Sequence, residues 1–309
     1  MTVLSQDMNT HTPSLPTSIP TDVYSLLDAL PIGLQWSVYR CTIPAGGAVV
    51  AEAIRAGDSV AVSDASLKDL FGTASFVLEG KDGIHRIPGV NIVPGPIREG
   101  DSYRCELSGL IGAMVIVKVL CESHSVTQGA MTVACDNIST LRIFQPDFIP
   151  EPSAESFDLV CCLHSLVSNI PVTLRAVHVR GHALKRKRRH QLSRLELLNE
   201  EMDEAANAFR EHLRQQSHPL QAVPMHVEGE GWSIWHHGTK MTSANKNVLY
   251  PRLEDHRTLQ FWTQAHTTQP EPHLSLDVIE QIDYDATDSA MKALGLSRQL
   301  WTAKHASEN

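Results

Sequence analysis

The sequence has little cysteine and shows no pattern in what it has. Six cysteines are spread over 309 residues, at Cys41, Cys105, Cys121, Cys135, Cys161 and Cys162. No two form a C-x-x-C pair, and no His/Cys spacing suits a zinc site. Several lie in apolar runs, as buried free thiols do in a reducing compartment. A long apolar run is also lacking. The best candidate, Leu107 to Leu120, is broken by Ser108, Gly109 and Lys118 and is too short to span a bilayer. The first thirty residues have no basic start with an apolar core, so no secretory signal is expected. There is no excess of positive charge either. The formal net charge is -9, which speaks against a protein that coats nucleic acid with its whole surface but allows a local basic patch beside an acidic site. Neither a nucleotide-binding P-loop nor a Y-x-D-D polymerase motif occurs. These absences leave a soluble, intracellular protein, cytoplasmic or nuclear, without a membrane partner.

What is present is an ordinary globular composition, 42% hydrophobic and 20% charged, long enough for one large or two modest domains. Residues 1–35 are rich in Thr, Ser and Pro ("NTHTPSLPTSIPT") and read as a tail or linker, with ordered structure beginning near Trp36. From Ser59 the patterning is α/β. "SVAVSD" (59–64), "GTASFVLEG" (72–80) and "IHRIPGVNIVPG" (84–95) read as three strands of an antiparallel meander, with Pro88 and Gly89 marking the third as an edge or bulged strand. A helix capped by Asp101 or Ser102 follows, with a broad apolar face through Leu107, Leu110, Ile111, Met114, Val117 and Leu120. "AMTVACD" (130–136) is a fourth strand. Helices are predicted over Asn137–Phe144 and residues 155–169, a fifth strand over 172–179, and a last helix from about Leu192 to Arg214.

That order gives a mixed five-stranded sheet with helices on both faces, in a domain of residues 36–214 with its core at 58–214. Residues 215–224 read as a linker. Residues 225–309, with Trp232, Trp235, Trp262 and Trp301, read as a small α+β accessory extension. In it "GWSIWHHGTKMTS" suggests a hairpin, and "NVLYPRLEDHRTLQFWTQ" and "ATDSAMKALG" suggest helices.

Four acids fall where such a fold can bring them together. Asp64 ends the first strand, Glu106 lies early in the first long helix, Asp136 ends the fourth strand, and Asp203 lies on the last helix. Each alone has an ordinary reading: a turn or cap residue, a charge near a helix start, or part of the solvated face "NEEMDEAANAF". Together they would repel one another. Hard divalent cations such as Mg²⁺ or Mn²⁺ relieve that repulsion, and a pair of them can drive phosphodiester cleavage.

The segments "VSDASLKDLFGTASFVLEG", "DSYRCELSGLIGA", "VACDNIS", "VHVRGHA" and "LNEEMDEAA" resemble type 1 ribonuclease H domains, most of all those of retroelement reverse transcriptase polyproteins. The resemblance covers about residues 58–210. It implies the ribonuclease H-like fold and a D-E-D-D site on Asp64, Glu106, Asp136 and Asp203, holding two Mg²⁺ ions, with Mn²⁺ as a substitute. Asp64 would bridge both ions, Asp203 would help hold one, and Glu106 and Asp136 the other. It further implies a loop histidine that assists turnover, here His182 in "VRGH". The implied substrate is the RNA strand of an RNA–DNA hybrid, cut to a 5′-phosphate and a 3′-hydroxyl and recognised by shape and 2′-hydroxyls. Ser66, Asn137 and Ser139, beside the acids, are candidate backbone contacts. A reverse transcriptase domain of the parent polyprotein is the implied partner, and the chain is expected to be a piece of such an element.

Two departures stand out. Ala65 occupies the place where the family commonly has glycine after the first acid, and the interval from His182 to Asp203 is enlarged by the run "KRKRRH". Arg180, Lys185, Arg186, Lys187, Arg188 and Arg189 are either a solvated loop, resembling a nuclear-localisation run, or phosphate contacts for the hybrid. Two other readings stay open. One is a catalytically decayed remnant that only binds nucleic acid, which Ala65 leaves room for. The other is an integrase or transposase of the same superfold, which uses three carboxylates.

Overall fold

The computed structural model describes residues 2–5, 22–80, 83–95, 101–216, 230, 232–236 and 239–242. The chain divides into two units, Met1–Lys246 and Asn247–Asn309. The described residues all belong to the first, so both helices expected beyond residue 246 lie outside them.

Three strands open the main sheet: β3 (Ser59–Lys68), β4 (Phe71–Glu79) and β5 (Arg86–Ile92). They pair antiparallel in sequence. Asp69 and Leu70, with φ of 51° and 61°, make the tight turn between the first two, the double positive φ of a two-residue hairpin. Then β6 (Ala130–Cys135) adds parallel to β3, and β7 (Thr173–His178) adds parallel to β6. A two-residue strand, β2 (Arg40–Cys41), covers the far edge by pairing with Gly89 and Val90. The sheet therefore has six strands, in the order β2-β5-β4-β3-β6-β7, one more than the five expected. Pro88 sits where an edge was anticipated, and β2 covers only the two residues that follow it. With helices on both faces, this is the mixed α/β sheet expected from the sequence, extended by one strand.

One face is built on α3 (Ser102–Ser123), which Asp101 caps by accepting from the Arg104 amide. Its apolar residues run nearly all round it, the pattern of a central buried helix. It packs against α1 (Val23–Asp28), α2 (Ala48–Ala56) and α5 (Phe157–Asn169) as well as the sheet. Gly112 lets it lie close: a Cβ there would sit 2.6 Å from the Ser37 carbonyl and from the Phe76 ring. Described structure thus precedes Trp36, in helix α1 and in a strand at Thr2–Ser5. The missed α1 carries its own signal, an Asp22 side chain accepting from the Tyr24 and Ser25 amides. A second missed helix, α2, buries Val50, Ala51 and Ile54 in the same core.

The other face is covered by α6 (Arg194–Arg214), which starts with a reciprocal Ser193–Glu196 capping box. Small hydroxyl residues of the sheet hold its backbone: Ser75 donates to the Met202 carbonyl at 2.6 Å and Thr73 to the Ala206 carbonyl at 2.8 Å. Ion pairs fix its start. Buried Glu79 takes Arg194 at 2.6 Å and Arg86 at 2.9 Å, and Arg86 also reaches Glu201 at 2.6 Å.

The predicted hairpin is present as β8 (Trp232–His236) and β9 (Thr239–Met241), and β1 (Thr2–Ser5) pairs with β8. It meets the core through buried charge. Arg104 of α3 is fully buried and grips Asp158 of α5 with two bonds of 2.8 and 2.9 Å. Lys240 of β9, also fully buried, lies 3.8 Å from Asp158 and 2.5 Å from Glu230. Among the described residues no helix is long and apolar enough to cross a membrane.

Burial alone would raise the carboxyl pKa of Asp158, but the guanidinium of Arg104 and the ammonium of Lys240 hold it below the usual range. A lowered folded-state pKa contributes stability at neutral pH that is lost as pH falls through it. Replacing one partner of such a buried pair costs about 3–5 kcal/mol. Urea unfolding at pH 7 should show a loss of that size for Asp158→Asn, and a much smaller difference from wild type in acid.

Candidate metal centre

The site exists because β3 outruns its parallel neighbour. The last parallel pair is Val62 with Ala134, yet β3 continues to Lys68. Asp64 is therefore inside the strand and not at its end, as had been expected. Beyond Val62 the β6 side of β3 is open. Strand alternation places Val62, Asp64 and Ser66 on the α6 face, where Val62 packs with Leu198 and Met202. Ala65 and Leu67 point to the other face, against Val93 and Cys105.

Three acids fill the open corner. Asp64 comes from β3, Glu106 from the first turns of α3 on the opposite face, and Asp136 from the first position after β6. One carboxylate oxygen from each lies within 4.8 Å of the other two. Burial, then the charges of Asp136 and Asp203, push the Asp64 carboxyl up to about 8, despite bonds from the Ala65 amide and Asn199. Glu106 is raised well above its usual range by burial and then by Asp64, Asp136 and Asp203. Asp136 is raised by burial, with His182 and His178 opposing. The Glu106 Oε2 atom is buried and has no hydrogen-bond partner. Three clustered carboxylates, one with a buried oxygen that lacks a partner, suit a hard divalent cation.

Asp203 stands at the margin of this group. It is not one of the three clustered acids, but its charge raises the carboxyl pKa of Asp64 and Glu106. His182 adopts a left-handed φ of 50° and is exposed, with Nδ1 3.8 Å from Asp203 Oδ2. Asn137 caps the short α4 (Ile138–Leu141), accepting from the Ser139 and Thr140 amides, and Ser139 is exposed. Ser66 is buried, with its hydroxyl engaged by Asn207 at 2.8 Å and by Arg210, so it is not free to meet a substrate. In the basic loop Arg180, Lys185, Arg186, Lys187, Arg188 and Arg189 are all exposed. Lys187 pairs with Glu196 at 2.7 Å and Arg189 reaches Glu201 at 4.0 Å. Arg186 bonds the Gly181 carbonyl at 2.8 Å. Arg180, Lys185 and Arg188 make no ion pair among the described residues.

Sequence reading missed the residues that hold the acids. Asn199 donates to Asp64 Oδ2 at 2.6 Å, and Asn207 donates to Asp203 Oδ1 at 2.8 Å. Both are four residues from Asp203, one turn to either side. A polar stripe at helical spacing was the available signal. His178 donates from Nε2 to the Asp136 carbonyl at 3.1 Å. Gly181 was missed too. A Cβ there would come within 2.1 Å of Asp136 Oδ2, so a side chain at this position would push the carboxylate aside.

No protein-family model and no curated protein matches the chain. Among solved structures it is similar to ribonuclease H1 of Halobacterium salinarum, at 12% identity and a TM-score of 0.30, over 41% of this chain and 89% of that one. It is also similar to the compost metagenome enzyme LC11-RNase H1, crystallised with an RNA/DNA hybrid, at 16% identity and 0.32, over 48% and 98%. The N-terminal ribonuclease H domain of a Mycobacterium tuberculosis protein gives 16% and 0.30, over 49% and 97%.

Two outcomes follow from the corner. In metal-free protein the raised carboxyl groups bind protons more tightly when folded than when unfolded. Their stabilisation is complete below the unfolded-state pKa and is lost as pH rises through the folded one. For Asp64 that window runs from about 4 to about 8. Thermal melts in chelator should fall across it, and Mg²⁺ should restore the midpoint at the alkaline end. Gly181→Ala should leave the fold intact and weaken Mn²⁺ affinity about 10–100-fold, measured by calorimetry.

Proposed function

We propose that this chain is a divalent-metal-dependent endonuclease that hydrolyses the RNA strand of RNA–DNA hybrids, of the kind carried by retroelement reverse transcriptase polyproteins. The observation that carries the reading is the corner itself: three carboxylates from three separate elements meet within 4.8 Å, one with a buried oxygen that nothing satisfies. A globular protein gains no stability from such an arrangement without a cation. Asp64, Glu106 and Asp136, with Asp203 at the margin, would hold two Mg²⁺ ions, or Mn²⁺ in their place. Such ions would supply a nucleophilic water at neutral pH and neutralise charge on the leaving oxygen.

The chain's own groups do the rest. The carboxylates fix where the scissile phosphate must lie, at the open edge of β3. Water adds at phosphorus, the P–O3′ bond breaks, and the 3′ oxygen leaves as a hydroxyl with the 5′-phosphate on the other fragment. His182 is exposed, 3.8 Å from Asp203, and would move a proton or loosen the product. Arg180, Lys185 and Arg188, which make no ion pair among the described residues, would supply cations, with Arg186, Lys187 and Arg189 adding to the field, so binding should weaken as salt rises. Ser139 and Asn137 sit next to Asp136 as candidate backbone contacts.

The reading of a decayed remnant rested on Ala65. Its methyl group points to the α3 face, against Val93 and Cys105, and its amide donates to Asp64 Oδ1 at 2.7 Å. An alanine there keeps clear of the acids, which favours the working enzyme. A reverse transcriptase domain as partner is supported by the sequence resemblance alone.

The test is cleavage of an end-labelled RNA–DNA hybrid by the full chain in Mg²⁺ or Mn²⁺. Metal-dependent cutting of the RNA strand that disappears in Asp136→Asn is the expected result. A folded protein that binds the hybrid and cuts neither strand would overturn it, and joining of DNA ends would point instead to an integrase-like activity.

A further inference from the structure

Arg210 lies on α6 seven residues beyond Asp203, on the same face as the metal corner. Its side chain is half-buried and its Nε is buried with no hydrogen-bond partner. It makes no ion pair among the described residues. Its one hydrogen bond among the described residues runs from Nη1 to the Ser66 hydroxyl. That contact begins a directed chain. Ser66 donates to Asn207 Oδ1 at 2.8 Å, and Asn207 donates to the main-chain oxygen of Asp203 at 2.9 Å and to its carboxylate at 2.8 Å. A half-buried guanidinium without an anion is uncommon, because a desolvated cation is costly unless paired. The neighbouring cations of the fold show the contrast: Arg104, Arg86 and Arg194 each have a carboxylate partner.

Position narrows which anion this guanidinium would take. Ser66 is two residues past Asp64 on the same face of β3, about 7 Å along the strand. Phosphates of one nucleic-acid strand recur about every 3.4 Å of helix axis. A strand whose scissile phosphate lies at Asp64 therefore brings another phosphate to Arg210 within about two nucleotides.

We propose that Arg210 is a phosphate-binding residue for the nucleic-acid substrate, seated by Ser66, and that Asn207 links its occupancy to the orientation of Asp203. This rests on the nuclease reading for its substrate, while the phosphate site itself can be tested without cleavage. The fork of the guanidinium suits a phosphate's paired oxygens, which a lysine cannot match.

The experiment is fluorescence anisotropy of the full chain in Mg²⁺ with a labelled duplex of 2′-O-methyl RNA and DNA, which resists cutting. Arg210→Gln should bind about 10-fold more weakly, and the slope of log affinity against log salt should be shallower by about 0.9, one phosphate contact. Arg210→Lys should recover the salt slope but not the full affinity. Single methylphosphonates walked along the duplex should weaken wild-type binding at one position near the acids and leave Arg210→Gln indifferent there. Unchanged affinity and slope in folded Arg210→Gln, or identical maps, would overturn the proposal. If Arg210→Gln does not fold, Arg210→Lys and the wild-type map decide between the same outcomes. A wild type that cuts no unmodified hybrid sinks the nuclease reading, and the binding data still decide the role of Arg210.

Discussion

Strand β3 is the piece on which the rest depends. It pairs with β4 from Val60 to its end and with β6 along only its first four residues. The surplus length opens a corner in the sheet, and only there can a side chain from α3, on one face, meet one from β3 that points to the other. Had β6 run two residues longer, Glu106 and Asp64 would be separated by a hydrogen-bonded strand. The site is a consequence of unequal strand lengths as much as of the acids themselves.

The acids then impose a demand on α6. Crowded carboxylates push apart unless their neighbours are fixed, and the fixing is spread along this helix. Its start is clamped by Glu79, Arg86 and Arg194, its middle by hydroxyls of Ser75 and Thr73, and its site-facing stripe reads Asn199, Asp203, Asn207, Arg210. Amides on this stripe bond the carboxylates without adding charge. That leaves the corner short of positive charge, and the binding of a cation is what would complete it.

Much of this was legible in the sequence. Elements from β3 to α6 follow from the switch between alternating and helical apolar spacing. The acids were picked out by their order and by resemblance. The failures have physical causes. Asp64 was placed at a strand end because Asp64 and Ser66 look like a polar boundary, but their polarity is turned onto a helix that hydrogen-bonds it. Helix α1 was lost in a Pro/Thr-rich stretch, although Val23, Leu26, Leu27 and Leu30 repeat at helical spacing and pack on the core. Arg210 and the two asparagines were invisible because a stripe facing a polar site looks, in one dimension, like a stripe facing water.

The separation of Asp64 from the helix that covers it has a consequence in time. Asn199 follows Asp64 by 135 residues, and a ribosome adds about 5–20 residues per second. For roughly 7–27 s the growing chain carries its first acid with neither Asn199 nor Asp203 to flank it. A chain cut short in that interval lacks all but the first turn of α6, and with it Asn199, Asp203 and Asn207. Synthesis must pass α6 before Asp64 gains the bond from Asn199 and the neighbouring charge of Asp203, so the corner takes on its surroundings only after the main sheet is made.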